Sequence, residues 1–312
     1  MFIPKLPLKT VQAVRHVRPL WGGSQSHLLE CSDGNLYLVK FKNNPIGKRI
    51  LANELFGTLL ANHLGLPIPE IALVEVSEQL IARSPGLHIE YFNRWEACEP
   101  GLCFGSKYIN RVSISFSSRI TERGVISGVF PPAVTNISDF AGMLVFDKWT
   151  SNAWARQVIG LPLTRSTSRI LMVDNGHCFN ELCWTFPRAK AIGVFREESV
   201  YDSITGLDDF RPWLDIVESW SDLHELTKLA GRIPPEWYSS ETHALKSLLH
   251  RLVRRSKCVW RLLAECCNAY PDWFKRWESV VLPLLQNRLP QVTAPGTASV
   301  TPASDSPTRF IS

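Results

Sequence analysis

Phe146-Asp147-Lys148-Trp149-Thr150-Ser151-Asn152, with Val173-Asp174-Asn175-Gly176 downstream of it, is the stretch on which the fold turns. Transfer of a phosphoryl group to a hydroxyl needs one carboxylate beside the incoming hydroxyl. It also needs an Asn and a second carboxylate to share a divalent cation. On this pattern Asp147 orients the acceptor hydroxyl and takes its proton, and Lys148 neutralises the phosphoryl group in flight. Asn152 and Asp174 become the metal ligands, and Arg156-Gln157 steady the loop or contact phosphate. Asn136-Ile137-Ser138-Asp139 reads as a cap with an acidic first turn, so Phe140, Met143 and Leu144 begin a helix that delivers Asp147 to a cleft. Ile170-Leu171-Met172-Val173 is a buried-strand run that leaves Asp174 at its end, and Gly176 permits the sharp exit. An Asp and an Asn at this spacing are common in any sequence. Their weight comes from what precedes them.

Upstream, Val11–Arg18 reads as a strand, and Trp21-Gly22-Gly23-Ser24-Gln25-Ser26-His27 breaks it. Leu28–Cys31 resumes a strand, Asp33-Gly34-Asn35 signals a hairpin, and Leu36–Phe41 is the next strand, with Lys40 near its end. This is the order of a nucleotide lid. The turn brings Gly23, Ser24, Gln25 and Ser26 to the phosphates through backbone N–H groups and hydroxyls. A Lys facing inward needs an anion. Asn44-Pro45 predicts a helix start, Ile50, Leu51, Leu55, Thr58, Leu59 and Asn62 follow helical spacing, and Gly65 with Pro67 ends it. Glu54 lies on the inner side of that helix, where it can pair with Lys40 and hold it against ATP. Leu66–Val76 reads as a further strand. Gly101–Tyr108 reads as a lobe connector whose backbone meets adenine while Phe104 packs on the ring.

The remainder is helical. Phe210 to Leu223 marks one amphipathic element, and Ile233-Pro234-Pro235-Glu236-Trp237 is a breaker. His243–Asn268 is the longest helical pattern, and Trp273 to Leu284 is a last helix. One face of the 243–268 pattern carries His250, Arg251, Arg254, Arg255, Lys257 and Arg261. That stripe can grip nucleic acid, although a solvated face is the commoner meaning. The expected fold is α+β and bilobal, with a small antiparallel-sheet N-lobe over residues 1–105 and a mainly helical C-lobe over 106–288. A Pro-, Thr-, Ser- and Ala-rich flexible tail is expected over 289–312. With 312 residues, 45% of them hydrophobic and 20% charged, the chain can bury a sizeable core. A net charge of +5 suits an anionic partner without selecting one. No apolar run is long enough for a membrane span and no signal peptide is evident. The eight cysteines lack a CxxC pair, so a cytoplasmic protein with reduced thiols is expected.

These pieces together resemble the HipA-like kinases, especially their short bacterial members, over roughly residues 10 to 285. The resemblance is carried by Gly-Gly-Ser-Gln-Ser-His at 22–27, Tyr-Leu-Val-Lys-Phe at 37–41, Asn-Glu-Leu at 53–55 and Phe-Gly-Ser-Lys-Tyr at 104–108. It continues through Asp-Lys-Trp-Thr-Ser-Asn-Ala-Trp-Ala-Arg-Gln at 147–157 and Met-Val-Asp-Asn-Gly-His at 172–177. It implies an atypical bilobal kinase using ATP and Mg2+. Lys40 would be the phosphate lysine, Asp147 the catalytic Asp, and Asn152 and Asp174 the metal ligands. It further implies a protein serine/threonine kinase, an antitoxin-like or regulatory partner, and Ser24 or Ser26 as a phosphorylatable serine of the phosphate loop. Relatives of this type carry an Asp two residues after the motif Asn, where this chain has Trp154. Two other readings stand beside it: a kinase for a small-molecule or lipid-headgroup hydroxyl, and a catalytically weak, nucleotide-regulated binding module.

Overall fold

Asp33-Gly34-Asn35 closes its hairpin for the reason its residues suggest. Gly34 takes φ +76°, and the Asp33 carboxylate accepts from the Asn35 N–H at 3.1 Å and the Tyr37 hydroxyl at 2.9 Å. The computed structural model describes residues 7–20, 22–92, 94–109, 114–116, 119–121, 124–126, 133–187, 193–220 and 223–278. In chain order these form β1 (Lys9–Pro19), β2 (His27–Cys31), β3 (Leu36–Lys40), α1 (Arg49–His63), β4 (Ile71–Val76), α2 (Glu78–Ala82), β5 (His88–Tyr91) and β6 (Arg94–Ala97). Then come β7 (Gly101–Lys107), β8 (Ile114–Phe116), β9 (Arg119–Thr121), β10 (Gly124–Ile126), α3 (Asp139–Thr150), β11 (Gln157–Pro162) and β12 (Ser168–Val173). The chain continues with α4 (Trp213–Ser219), α5 (His224–Ala230), α6 (Thr242–Ser256) and α7 (Val259–Ala269). The arrangement is bilobal and α+β, kinase-like, with a mixed N-terminal sheet and a mainly helical C-terminal part.

The N-terminal sheet goes further than the small antiparallel sheet expected. It closes into a barrel in the order β1-β2-β3-β7-β4, because β1 pairs parallel with β4 while the other neighbouring strands pair antiparallel. Leu29, Tyr37, Val39, Ala72, Val74 and Cys103 fill it. The connector expected over 101–108 is therefore mostly strand: β7 pairs with β3 on one side and β4 on the other. A second, larger core joins α1 to the helical part through Leu55, Leu59, Leu144, Trp149, Leu252 and Leu263. In α3 every residue from Phe140 to Thr150 is buried, as expected of a helix surrounded by others. Gly142 lets Trp213 of α4 lie directly on α3, in space a Cβ would occupy.

Several boundaries differ from the sequence reading. The first helix starts at Arg49 because Asn44 builds a turn of its own. Its Oδ1 accepts from the Ile46 N–H at 3.1 Å, and Gly47 follows at φ +122°. The strand expected over 66–76 begins at Ile71. The single helix expected over 243–268 breaks at Lys257-Cys258 into α6 and α7. The basic stripe is partly spent inside the molecule. Arg251 donates to the Trp184 carbonyl, and Arg255 donates to the Lys148 carbonyl at 2.8 Å and lies over Phe186. The expected last helix is not formed over 273–278, its remainder lies outside the described residues, and so does the whole of 289–312. All eight cysteines are free thiols. Among the described residues no helix is long and apolar enough to cross a membrane.

Candidate nucleotide and phosphoryl-transfer site

Lys40 stands opposite Phe104 at the end of the β3–β7 ladder, so its ammonium leaves the barrel toward α1 and the end of β12. There it is held by two carboxylates, one from each lobe. Glu54 of α1 accepts through Oε1, and Asp174 accepts through Oδ1 at 2.9 Å. Burial alone would lower the pKa of Lys40, but Asp174 and Glu54 together raise it above its usual value. Burial likewise disfavours the charged form of Asp174, and Lys40 with His177 overcomes it, holding the carboxyl well below the ordinary range. Glu54 is fixed a second time, because its Oε2 accepts from the Asn175 N–H at 3.0 Å. Glu54 therefore reads the backbone just after β12 as well as the charge on Lys40.

The same point is braced from behind. Asn53 donates to the carbonyls of Gly176, Cys178 and Glu181 at 2.8, 3.1 and 3.0 Å, and accepts from Trp184 Nε1 at 2.8 Å. It holds a segment in which Phe179, Asn180 and Glu181 all take positive φ, a costly backbone that needs outside support. An Asn in the middle of a buried helix is the signal that could have found this role, because such an amide must be satisfied.

These groups face a cavity of about 500 Å³ between the barrel and the helical part. Lys40, Glu54, Phe104, Tyr108, Gln157 and Asp174 are among the residues on its wall. Ser24 and Ser26 also reach it, with their hydroxyl oxygens 3.4 Å apart. Gly23 and Gln25 do not line it. Gln25 is turned away: its side-chain amide donates to the Glu90 carbonyl and accepts from the Glu90 N–H, both at 2.7 Å, pinning the turn to the β5–β6 hairpin. Asn44 adds a bond to the Ser24 carbonyl at 2.8 Å.

The other half of the sequence-derived set lies elsewhere. Asp147 has no exposed surface, sits within α3, and is gripped by Arg156, whose Nε donates to Oδ2 at 2.9 Å while a second guanidinium nitrogen donates to Oδ1. Burial raises the Asp147 pKa and the guanidinium opposes that shift. Asn152, 1% exposed, donates to Asp147 Oδ1 at 3.0 Å and accepts from the Trp154 N–H at 3.3 Å, so both ends of its amide are occupied. Lys148 is buried against Cys266 of α7. Gly193, at φ +73°, packs on Asp147 so closely that a Cβ would overlap it. None of Asp147, Lys148 and Asn152 is on the cavity wall. The residues brought together are thus Lys40, Glu54, Phe104, Ser24, Ser26 and Asp174, and Arg156 links the two halves by donating to the carbonyls of Val173 at 2.8 Å and Asp174 at 3.2 Å.

Residues 16–262 match the model of the HipA-like kinase family. The chain belongs to the HipA-like kinases. That family match places it with the kinase-like phosphotransferases. No curated protein matches this HipA-like kinase. Among solved structures, hydra Fam20 with sugar is similar at a TM-score of 0.49 and 12% identity, covering 83% of this chain and 86% of that one. The Helicobacter pylori proinflammatory kinase CtkA gives 0.45 and 15%, covering 84% and 98%. The Golgi casein kinase with Mn/ADP bound gives 0.43 and 10%, covering 86% and 75%. At such scores these likenesses carry nothing about the substrate of this HipA-like kinase.

Proposed function

We propose that the cleft binds ATP with Mg2+ and passes the terminal phosphoryl group to a serine or threonine hydroxyl of a protein. The observation that carries this is the Lys40 ammonium bridged between Glu54 and Asp174 on the wall of the cavity. An ammonium fixed in this way is placed to receive phosphate oxygens, and Phe104 and Tyr108 offer apolar surface to a base. Asp174 fits a cation, because only its Oδ1 is bonded to Lys40 while Oδ2 lies 4.0 Å from His177. Among the described residues no group of three His, Cys, Asp or Glu side chains is placed to hold a metal. Magnesium takes one or two carboxylates and completes its shell with phosphate and water. When bound, the cation would neutralise charge on the β- and γ-phosphates. Labelled ATP with Mg2+ should label the protein itself or a lysate protein, and Asp174→Asn or Lys40→Met should remove the label. A wild-type protein that neither binds ATP nor transfers phosphate would overturn the proposal. The same assay with soluble hydroxyl acceptors separates a protein kinase from a small-molecule kinase.

A second reading is favoured by one observation, the closure of Asp147, Lys148 and Asn152 away from the cavity. In this reading the chain binds nucleotide, turns it over weakly, and presents a nucleotide-dependent surface to a regulatory partner. ATP-dependent stabilisation with transfer no faster than in Asp174→Asn would select it.

A further inference from the structure

The basic stripe of α6 and α7 takes no part in the nucleotide cleft, yet the charge of the chain is concentrated there. Residues 243–264 hold six Lys and Arg and no Asp or Glu, against 34 and 29 in the whole chain, so the net charge of +5 comes wholly from this stretch. Arg251 and Arg255 spend bonds on the carbonyls of Trp184 and Lys148, and among the described residues none of the six is ion-paired with a carboxylate. Helical spacing gathers the others. His243, Ser247, His250, Arg254 and Lys257 follow one another at intervals of four, three, four and three residues, so they line one side of α6 over about 21 Å. His243, Lys246, His250, Arg254 and Lys257 are exposed, while Leu248, Leu249 and Leu252 enter the core. Ser247, His250, Arg251, Val253 and Arg254 surround a hollow of about 480 Å³. Its polar side chains are a hydroxyl, an imidazole and two guanidiniums, with no carboxylate among them.

We propose that this face of α6 binds the phosphate backbone of a nucleic acid without reading its sequence. Lys246, Arg254 and Lys257 supply the charge, and Ser247 and His250 supply hydrogen bonds to phosphate oxygens in the hollow. Other anionic partners need something this face lacks. A protein partner is anchored by large side chains buried at the centre of the interface. A membrane surface takes an apolar helix face into the headgroup boundary. Among the described residues, none of the exposed large hydrophobic side chains lies on α6 or α7. Charge without an apolar anchor suffices for a nucleic acid, because phosphate contacts and the counterions they release supply nearly all of its non-specific affinity. The site lies in the helical part and does not depend on the nucleotide reading above.

The test is fluorescence anisotropy of a labelled DNA duplex of mixed sequence with the full chain, repeated across a KCl series. Three or four phosphate contacts predict a slope of log K against log salt of roughly −2.7 to −3.6, a loss of roughly 40- to 150-fold in affinity between about 50 and 200 mM KCl. A duplex of different sequence should bind within about twofold. Arg254→Ala should flatten the slope by about one. Lys246→Glu, Arg254→Glu and Lys257→Glu together should abolish binding at about 50 mM KCl, and because these side chains are exposed the triple variant should melt as the wild type does. If the triple variant does not fold, the Arg254→Ala slope decides the matter. Poly-glutamate and phosphatidylserine vesicles are the competing anions, and failure of both to displace the duplex at equal charge supports the proposal. Displacement by poly-glutamate makes the face an acidic-protein site, displacement by vesicles makes it a membrane site, and either overturns the proposal. So does a wild-type chain that ignores the duplex at low salt, or a folded triple variant that binds it as the wild type does.

Discussion

Asp147 and Arg156 form a fully buried ion pair with two hydrogen bonds between them, and Arg156 also anchors the backbone at Val173 and Asp174. Removing one member of such a pair leaves an uncompensated charge in the core. Asp147→Ala is expected to cost about 3–5 kcal/mol, seen as a lower urea midpoint, and Arg156→Ala a similar amount. The paired change Asp147→Leu with Arg156→Met should cost less than the sum of the single changes, which a double-mutant cycle measures. Should Asp147→Ala keep wild-type stability and lose only phosphoryl transfer, the strut described here would give way to a catalytic Asp. Spacing in the sequence placed Asp147 and Asn152 near each other, and they do meet. What spacing does not tell is which way a helix turns. Asp147 lies on a helix buried all round, where every face reads as apolar and the sequence gives no sign of which one meets the cleft.

Among the elements, α3 makes the sharpest case. Ala in place of Gly142 would gain about 1 kcal/mol of helix propensity, yet its Cβ would enter the Trp213 ring, and overpacking of that kind costs roughly 1–3 kcal/mol. Gly142→Ala is expected to lower the urea midpoint, and Gly142→Ala with Trp213→Leu to recover part of it. At the base of the barrel, His27 of β2 is buried with His16 at 3.2 Å, the His88 carbonyl at 3.1 Å and Phe41 edge-on. Burial pushes His27 down from 6.5 to about 4. The unfolded chain therefore binds the proton first as pH falls. His27 adds stability in full above about pH 6.5 and loses it progressively toward pH 4. Denaturation across that window should show the decline, and His27→Gln should flatten it. Strand runs such as Leu36–Phe41 and Ile170–Val173 were legible because their apolar content names them. The β5–β6 hairpin was not, because His88–Tyr91 and Arg94–Ala97 alternate polar and apolar over only four residues each, nor was the parallel β1–β4 contact, which depends on pairing between distant residues.

For the molecule as a whole, the cleft joins carboxylates from two lobes through one ammonium, so nucleotide should stabilise both lobes together. At about a hundred times its Kd, ATP with Mg2+ should add about 2.7 kcal/mol to unfolding, read as a single shifted transition, and Lys40→Met should abolish the shift. The bilobal plan was read from the order Lys40, Glu54, Asp147, Asn152, Asp174, and of these Lys40, Glu54 and Asp174 meet. Gln25 has a consequence for how fast that ligand comes and goes. Its amide mimics a strand partner for Glu90, engaging the N–H and the carbonyl at once, which welds the serine-bearing turn to a hairpin on the rim. Any excursion that admits or expels a nucleotide past Ser24 must therefore drag that rim along or snap both bonds. Deuterium uptake at the Glu90 amide becomes a clock for the gate, and Gln25→Ala should make it run faster.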